Sequence, residues 1–208
     1  MYTPEPFAEH DPERIATLIR QNAFGMLVTA TQGGPQVSHL PFLLEHGNTA
    51  PDRLLCHMAR ANPHAQALTA ETEALVVFQG PHAYVSPSWY ASPGVPTWNF
   101  AVVHVRGRSR RIDDNAELAN LLERLTQVYE ASQPAPWQAN LVGAADARLL
   151  HAIVGVEILI TDIQAKFKLS QNRPHEDQLR VMQQLRQSRD TQAQDVAALM
   201  SDHLNPHA

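Results

Sequence analysis

Apolar positions along this chain recur with two periods, and the two alternate. Asp11-Pro12 reads as a helix start, a capping carboxylate followed by proline in the first turn, with Ile15, Leu18 and Ile19 on one face up to about Asn22. Ala23–Ala30 and Gln36–Leu44 are β-like runs around the turn Thr31-Gln32-Gly33-Gly34, which predicts a hairpin. Pro41 interrupts the second run, as suits an edge strand, a bulge or a ligand-facing kink. A loop with Asn48, Pro51 and Asp52 leads to a strand over Arg53–Ala59, and Pro63–Ala70 reads as a short helix. Ala74–Gln79 is a continuous apolar run, the pattern of a strand buried on both faces. Gly80-Pro81 predicts a turn into a fifth strand, His82–Ser86.

Thr97–Ile112 is a long strand of period two. Val103, Val105, Gly107 and Ser109 alternate with His104, Arg106, Arg108 and Arg110, so one face carries a basic row. Asp114–Ala131 is an amphipathic helix with Leu118, Leu121, Leu122, Leu125 and Val128 at helical spacing, stopped by Pro134 and Pro136 and anchored at Trp137. A short helix over Ala144–His151 precedes the last strand, Ile153–Ile163. An extended basic piece, Lys166–Arg173, leads to two polar helices, Glu176–Gln187 and Gln192–His203, that read as an appendage or a partner-facing arm. Six or seven strands at hairpin spacing, without regular βαβ alternation, predict a closed or partly closed antiparallel barrel.

Composition narrows the classes. The 208 residues make one domain, or one domain with a helical appendage, and 44% apolar residues suffice for a core. The net charge of −5 argues against a wholly basic nucleic-acid surface, leaving only a local patch formed by Arg106, Arg108, Arg110 and Arg111. One cysteine, Cys56, excludes an internal disulfide and a cysteine-based zinc site, and reads as core. The eleven histidines are scattered without HxH or HExxH spacing, so no metal site is assigned. No signal peptide or membrane-length apolar run is evident, and a soluble, cytoplasmic protein is expected.

Candidate chemistry gathers in three places. Residues 84–107 bring together Trp89, Tyr90 and Trp98 with Pro87, Pro93 and Pro96, a stiffened loop that resembles one wall of a pocket for a flat ligand; a packed loop covering a barrel end is the plainer reading. In His57–His64, a strand end followed by Arg60, Asn62 and a helix start suits a phosphate, with His57 as a third donor; an arginine that caps the sheet edge accounts for the same residues. The donors of Lys166–Arg173 suit a ligand with carbonyl and ring-nitrogen acceptors, or a solvated basic loop. His39, beside Pro41, faces either a barrel-end pocket or its own structural partners. No GxGxxG, GxSxG, P-loop, nucleophile triad or paired carboxylates appear, so no catalytic residue is assigned and any chemistry falls to a bound cofactor.

Taken together, these segments resemble the PaiB-type FMN-binding negative transcriptional regulators. The resemblance rests on Tyr2-Thr3-Pro4 with Phe7, Ser38-His39-Leu40-Pro41, the His57–His64 run, and Phe78-Gln79-Gly80-Pro81-His82-Ala83-Tyr84. It continues through Ser86-Pro87-Ser88-Trp89-Tyr90, Val95-Pro96-Thr97-Trp98-Asn99-Phe100, Val105-Arg106-Gly107 and Lys166–Arg173. It implies a mainly β, antiparallel, Greek-key-like split β-barrel of the pyridoxamine-phosphate-oxidase kind, with peripheral helices. The barrel domain would span 1–173 and a C-terminal helical extension 174–208. It also implies a homodimer with FMN near the subunit interface. Arg60, His57 and Asn62 would hold the phosphate, while Thr97-Trp98-Asn99 and the Lys168–Gln171 segment would approach the flavin. The family pattern has Gly-Lys-Trp-Lys where this chain has Ala165-Lys166-Phe167-Lys168, which leaves less room for close backbone approach. Negative regulation of gene expression is the implied function, through DNA or through a protein partner, although no helix-turn-helix pattern is evident. A flavin-dependent oxidoreductase is the alternative, and a haem- or ligand-binding protein using His39 or His104 is a third reading.

Overall fold

The computed structural model describes residues 1–47, 52–68, 72–138, 141 and 144–204. In chain order the elements are β1 (Ala8–Glu9), α1 (Pro12–Gln21), β2 (Phe24–Thr31), β3 (Gly34–Pro41), β4 (Leu43–Glu45), β5 (Arg53–Ala59) and α2 (Pro63–Ala67). They continue with β6 (Thr72–Val85), β7 (Thr97–Ile112), α3 (Asn115–Glu130), α4 (Ala144–His151), β8 (Ile153–Lys168), α5 (His175–Arg186) and α6 (Thr191–Leu204). Eight strands form one mostly antiparallel sheet in the order β3-β2-β6-β7-β8-β5-β4, with β1 paired to β8. Among the described residues the hydrogen-bonded path ends at β3 and β4 and does not close. Pro35 and Pro41 both lie on β3, the edge strand, where a missing N–H breaks no interior ladder.

Two expectations from the sequence change. Gly80-Pro81 is no turn, because Thr72–Val85 is one strand. A Cβ on Gly80 would come within 2.8 Å of Leu18 Cδ1 and 3.2 Å of the Ala101 carbonyl, so this glycine serves close packing. The last strand also runs past Ile163 to Lys168, which places Lys166 and Lys168 in a strand paired with β1 (Ala8 opposite Lys166, Glu9 opposite Ala165). Asn48, Pro51 and the Ala70 end of the expected helix lie outside the described residues.

The chain divides into two compact units. The first comprises Met1–Asn22, Phe78–His104 and Gln164–Ala208. Asp11 caps α1 by accepting from the amides of Glu13 and Arg14, and Arg14 lies over the Phe167 ring at 5.6 Å. Helices α5 and α6 bury Val181, Leu185, Val196, Ala197 and Met200 despite their polar composition.

The second unit comprises Ala23–Val77 and Val105–Ile163. Its β2–β3 hairpin pairs Phe24 with Pro41 at one end and Thr31 with Gly34 at the turn. Helix α3, capped by Asp114, packs Leu118, Leu121 and Leu125 with Leu55, Ile112 and Leu150. Buried Glu157 on β8 accepts from Arg53 (2.7 Å) and Arg110 (2.9 Å). Burial alone would raise the Glu157 pKa, but the two arginines outweigh it and hold the carboxyl below its ordinary value. Cys56 is fully buried, and desolvation pushes its thiol far up.

Candidate functional site

In the first unit, the start of β7 meets the end of β8. The period of two sends Trp98 outward, 53% exposed, and its neighbour Asn99 fully inward. Asn99 and Ser170 exchange hydrogen bonds at 2.9 and 3.3 Å, and Asn99 also points at Met200 Sδ (3.6 Å). Ser170 sits at φ 68°, a strained value for a residue other than glycine, and its side-chain pairing with Asn99 helps to hold it there. Lys168 donates to the Trp98 carbonyl (2.9 Å) and to Thr97 Oγ1. Desolvation first, and then the charge of Lys166, lower the Lys168 pKa. Gln171 closes the turn, accepting from Leu169 N–H (2.6 Å) and donating to the Phe167 carbonyl. Thr97, Trp98, Asn99, Lys168 and Gln171 are therefore brought into one corner.

Trp98 lines a cavity of about 310 Å³ with Gln79, His82, Phe100, Ala101 and Val102. Tyr84 meets the indole edge-on at 6.0 Å and His82 lies tilted at 6.2 Å. The cavity is thus walled by aromatic rings, with the Lys168 ammonium bonded to the Trp98 backbone. A flat, conjugated ligand with polar edge atoms suits such a wall.

The loop between β6 and β7 is fastened by a cluster that the sequence did not single out. Asp177, at the start of α5 and 1% exposed, accepts from Ala91 N–H (2.7 Å), Ser92 N–H (3.3 Å), Ser92 Oγ (2.6 Å) and Arg173 (2.7 Å). The Ser92 hydroxyl, followed by the Ala91 amide and Arg173, holds its pKa at about 2 against the opposing effect of burial. Arg173 lies over the Tyr90 ring at 4.1 Å and also donates to the Pro93 carbonyl (3.1 Å). Gly94 completes the cluster, since a Cβ there would stand 2.5 Å from the Tyr90 ring. The local signal was an arginine and an aspartate four apart across Pro174 at a helix start.

In the second unit, His39 is exposed on β3 and stacks on Phe24 at 6.2 Å. Asn62 caps α2, accepting from His64 N–H (3.0 Å) and donating to Ser38 Oγ (3.3 Å). Buried His64, not singled out from the sequence, bridges Thr29 Oγ1 and Ser38 Oγ at 2.9 Å each, and burial lowers its pKa. Arg60 spends its donors on Asp113 (2.6 Å) and on the carbonyls of His151 (3.0 Å) and Ile153 (2.9 Å), so its guanidinium caps the sheet edge. His57 lines a cavity of about 300 Å³ with Pro41, Leu122, Thr126, Tyr129 and Trp137. Its Nδ1 is buried without a hydrogen-bond partner among the described residues, and desolvation lowers its pKa. A buried, unused polar atom on the wall of a mostly apolar cavity is an opening for a polar ligand group.

Comparison with known proteins follows the same direction. Residues 1–162 match the family described as "Putative FMN-binding domain". The chain is 38% identical, over 98% of both sequences, to "Protease synthase and sporulation protein PAI 2" of Bacillus subtilis (strain 168). In fold it is similar to the flavocytochrome Anf3 from Azotobacter vinelandii, with a TM-score of 0.62 and 19% identity over 82% of this chain and 74% of the other. It is equally similar to the FAD and heme binding protein from Mycobacterium smegmatis, with a TM-score of 0.62 and 15% identity over 83% and 78% of the two chains.

Proposed function

The chain belongs to the FMN-binding domain family, as a PaiB-like split-barrel protein, and from that membership we propose that it is a dimeric negative regulator of gene expression that carries FMN. The observation that carries the regulatory reading is the match over 98% of both sequences to the relative named "Protease synthase and sporulation protein PAI 2". A part-length match would support the cofactor domain alone.

FMN, when bound, supplies one- and two-electron transfer. The chain's own residues bind and orient it. Trp98 offers an exposed indole face, and Lys168, tied to the Trp98 carbonyl and to Thr97, brings a positive charge to the same corner. Asn99 and Gln171 keep the two strand ends in place, since their side chains are spent on Ser170, Leu169 and Phe167. His39, His57, Arg60 and Asn62 are proposed for the phosphate end. Of these, His57 has the unused buried nitrogen, and Arg60 must first leave Asp113. The exposed Trp98 and Tyr84 favour a second copy as the dimer partner.

The test has two arms. Absorption and flavin fluorescence of the wild type, Trp98→Ala and Lys168→Ala on titration with FMN should show saturable binding that both substitutions weaken. Transcript levels in a strain lacking the gene should rise for a defined set of genes and fall again when the wild type is restored. Wild type that takes up no FMN would overturn the cofactor assignment, and an unchanged transcript profile would overturn regulation.

A further inference from the structure

The period of two that sends Trp98 outward turns Thr97 and Asn99 to the other face of β7. There, within the first unit, Thr97 lines a separate cavity of about 110 Å³ with Tyr90, Val95, Lys168, Asn172 and Arg173. None of these residues lines the Trp98 cavity. The volume exceeds the roughly 30 Å³ share of one water and falls short of the roughly 300 Å³ where drug-sized sites begin, so the occupant has only a few heavy atoms.

The lining is rich in donors with nothing to bond. Lys168 has three N–H donors and spends two, on Thr97 Oγ1 and the Trp98 carbonyl (2.9 Å). Thr97 accepts from Lys168, which leaves its own hydroxyl proton to give. The Tyr90 hydroxyl and the Asn172 amide make no side-chain hydrogen bond among the described residues. Burial, ahead of the opposing pull of Arg173, raises the Tyr90 pKa, so that hydroxyl stays a donor. Arg173 spends Nη2 on Ser92 (2.9 Å), the Pro93 carbonyl (3.1 Å) and Asp177 (2.7 Å), but its Nε is buried with no partner among the described residues.

The charges do not cancel. Asp177 answers Arg173, whereas Lys168 meets only neutral acceptors, and no carboxylate stands in the lining. Desolvation, and then Lys166, already lower the Lys168 pKa, a cost that an anion beside the ammonium offsets. Val95 and the Tyr90 ring give the same cavity an apolar edge.

We propose that this cavity binds a small monocarboxylate, with its head on Lys168, Thr97 and Tyr90 and its short chain against Val95. One unmatched cation suits a monoanion better than a phosphate dianion or a nucleic-acid backbone, and hydrogen bonds to an ionised head are the strong ones. The site shares Thr97 and Lys168 with the residues proposed for FMN, but lies across β7 from the Trp98 wall. It does not depend on the cofactor reading.

The test follows the unfolding temperature and the heat of mixing of the full-length protein with acetate and with inorganic phosphate, at ionic strength held constant with chloride. Each series is repeated with saturating FMN. The expected result is saturable stabilisation by acetate, tighter than by phosphate and the same with FMN present. Tyr90→Phe keeps the ring over Arg173 and loses only an unbonded hydroxyl, so it should unfold at the wild-type temperature without acetate and bind acetate about tenfold more weakly. Lys168→Gln should abolish binding, and Arg180→Gln, an exposed cation on α5, should leave it unchanged. No saturation by acetate, tighter binding of phosphate, or wild-type affinity in both Tyr90→Phe and Lys168→Gln would each overturn the proposal. So would displacement of acetate by FMN, which would leave the cofactor assignment standing and give this cavity to the cofactor.

Discussion

The Arg173 guanidinium lies 4.1 Å from the centre of the Tyr90 ring, across 83 residues of chain. The same side chain donates to Asp177, which in turn accepts both amides at Ala91 and Ser92. A loop stiffened by Pro87, Pro93 and Pro96 is thereby tied to the first turn of α5. Thr97 and Trp98 follow directly, so the clasp sets where the aromatic wall begins.

Stability in acid should report this clasp. The Asp177 carboxyl has a folded pKa of about 2 against an ordinary 3.8, so the unfolded chain takes up the proton first. Its contribution is therefore complete above the ordinary value, declines as the pH falls below it, and is gone below about 2. Asp177→Asn should flatten the loss of unfolding temperature across that window and increase proteolytic cleavage between Ser86 and Pro96. Equal acid slopes for the variant and the wild type would remove Asp177 from the clasp.

Gly94→Ala should act on the same loop by overpacking. The added methyl would stand 2.5 Å from Tyr90 Cδ2 and 3.1 Å from Arg173 Nη2, so ring and guanidinium cannot both stay. A cost of about 1–3 kcal/mol is expected, the usual range for a forced methyl in a packed site. Chemical denaturation measures it, and weakened FMN binding should accompany it if the loop shapes the flavin wall. A neutral outcome would mean that the loop yields freely.

Elements with a clean local period were legible. Thr97–Ile112 forms over the residues where the pattern placed it, because its alternation persists through most of the strand, and Arg53–Ala59 and Ala144–His151 also keep their expected bounds. Composition misled at Gly80-Pro81, where the glycine serves packing on Leu18. At Arg60 the sequence offered a phosphate ligand or a sheet-edge cap, and its Asp113 partner, 53 residues on, cannot be found from local pattern. The Asp177 clasp is more distant still, joined to Ser92 over 85 residues. Of the site, the residue types and the strand carrying Trp98 were readable, but the bonds that consume Gln171 and Arg60 were not.

Those bonds separate two substitutions that the sequence treats alike. Arg60→Ala removes an ion pair and two carbonyl caps, and should destabilise the protein by about 1–3 kcal/mol, the scale of a few unmade hydrogen bonds. The Asp113 pKa, held down first by Arg60, should rise. His57→Phe should cost less stability, because Nδ1 has no partner to lose among the described residues, yet weaken FMN binding if that atom meets the cofactor. Burial lowers the His57 pKa below 6.5, so its neutral form stabilises the fold above that value and the benefit is lost as the pH falls. His57→Phe should therefore also show a shallower loss of stability on acidification from pH 6.5.

A chain ending at Arg173 tests whether the last two helices are separable from the barrel. The sequence marks 174–208 as an extension, and its glutamine-rich composition suggests little internal cost to removal. The packing predicts otherwise. Truncation deletes Asp177, and with it the acceptor for two loop amides, the Ser92 hydroxyl and Arg173. It also deletes Met200, which contacts Asn99, and the buried Val181, Leu185 and Val196, each worth about 1.5–3 kcal/mol when fully covered. The truncated chain should therefore aggregate or bind a hydrophobic dye, with the Ser86–Pro96 loop cut first by protease. A soluble truncated chain with unaltered FMN affinity would make the helices a true appendage, and Asp177 irrelevant to the flavin wall.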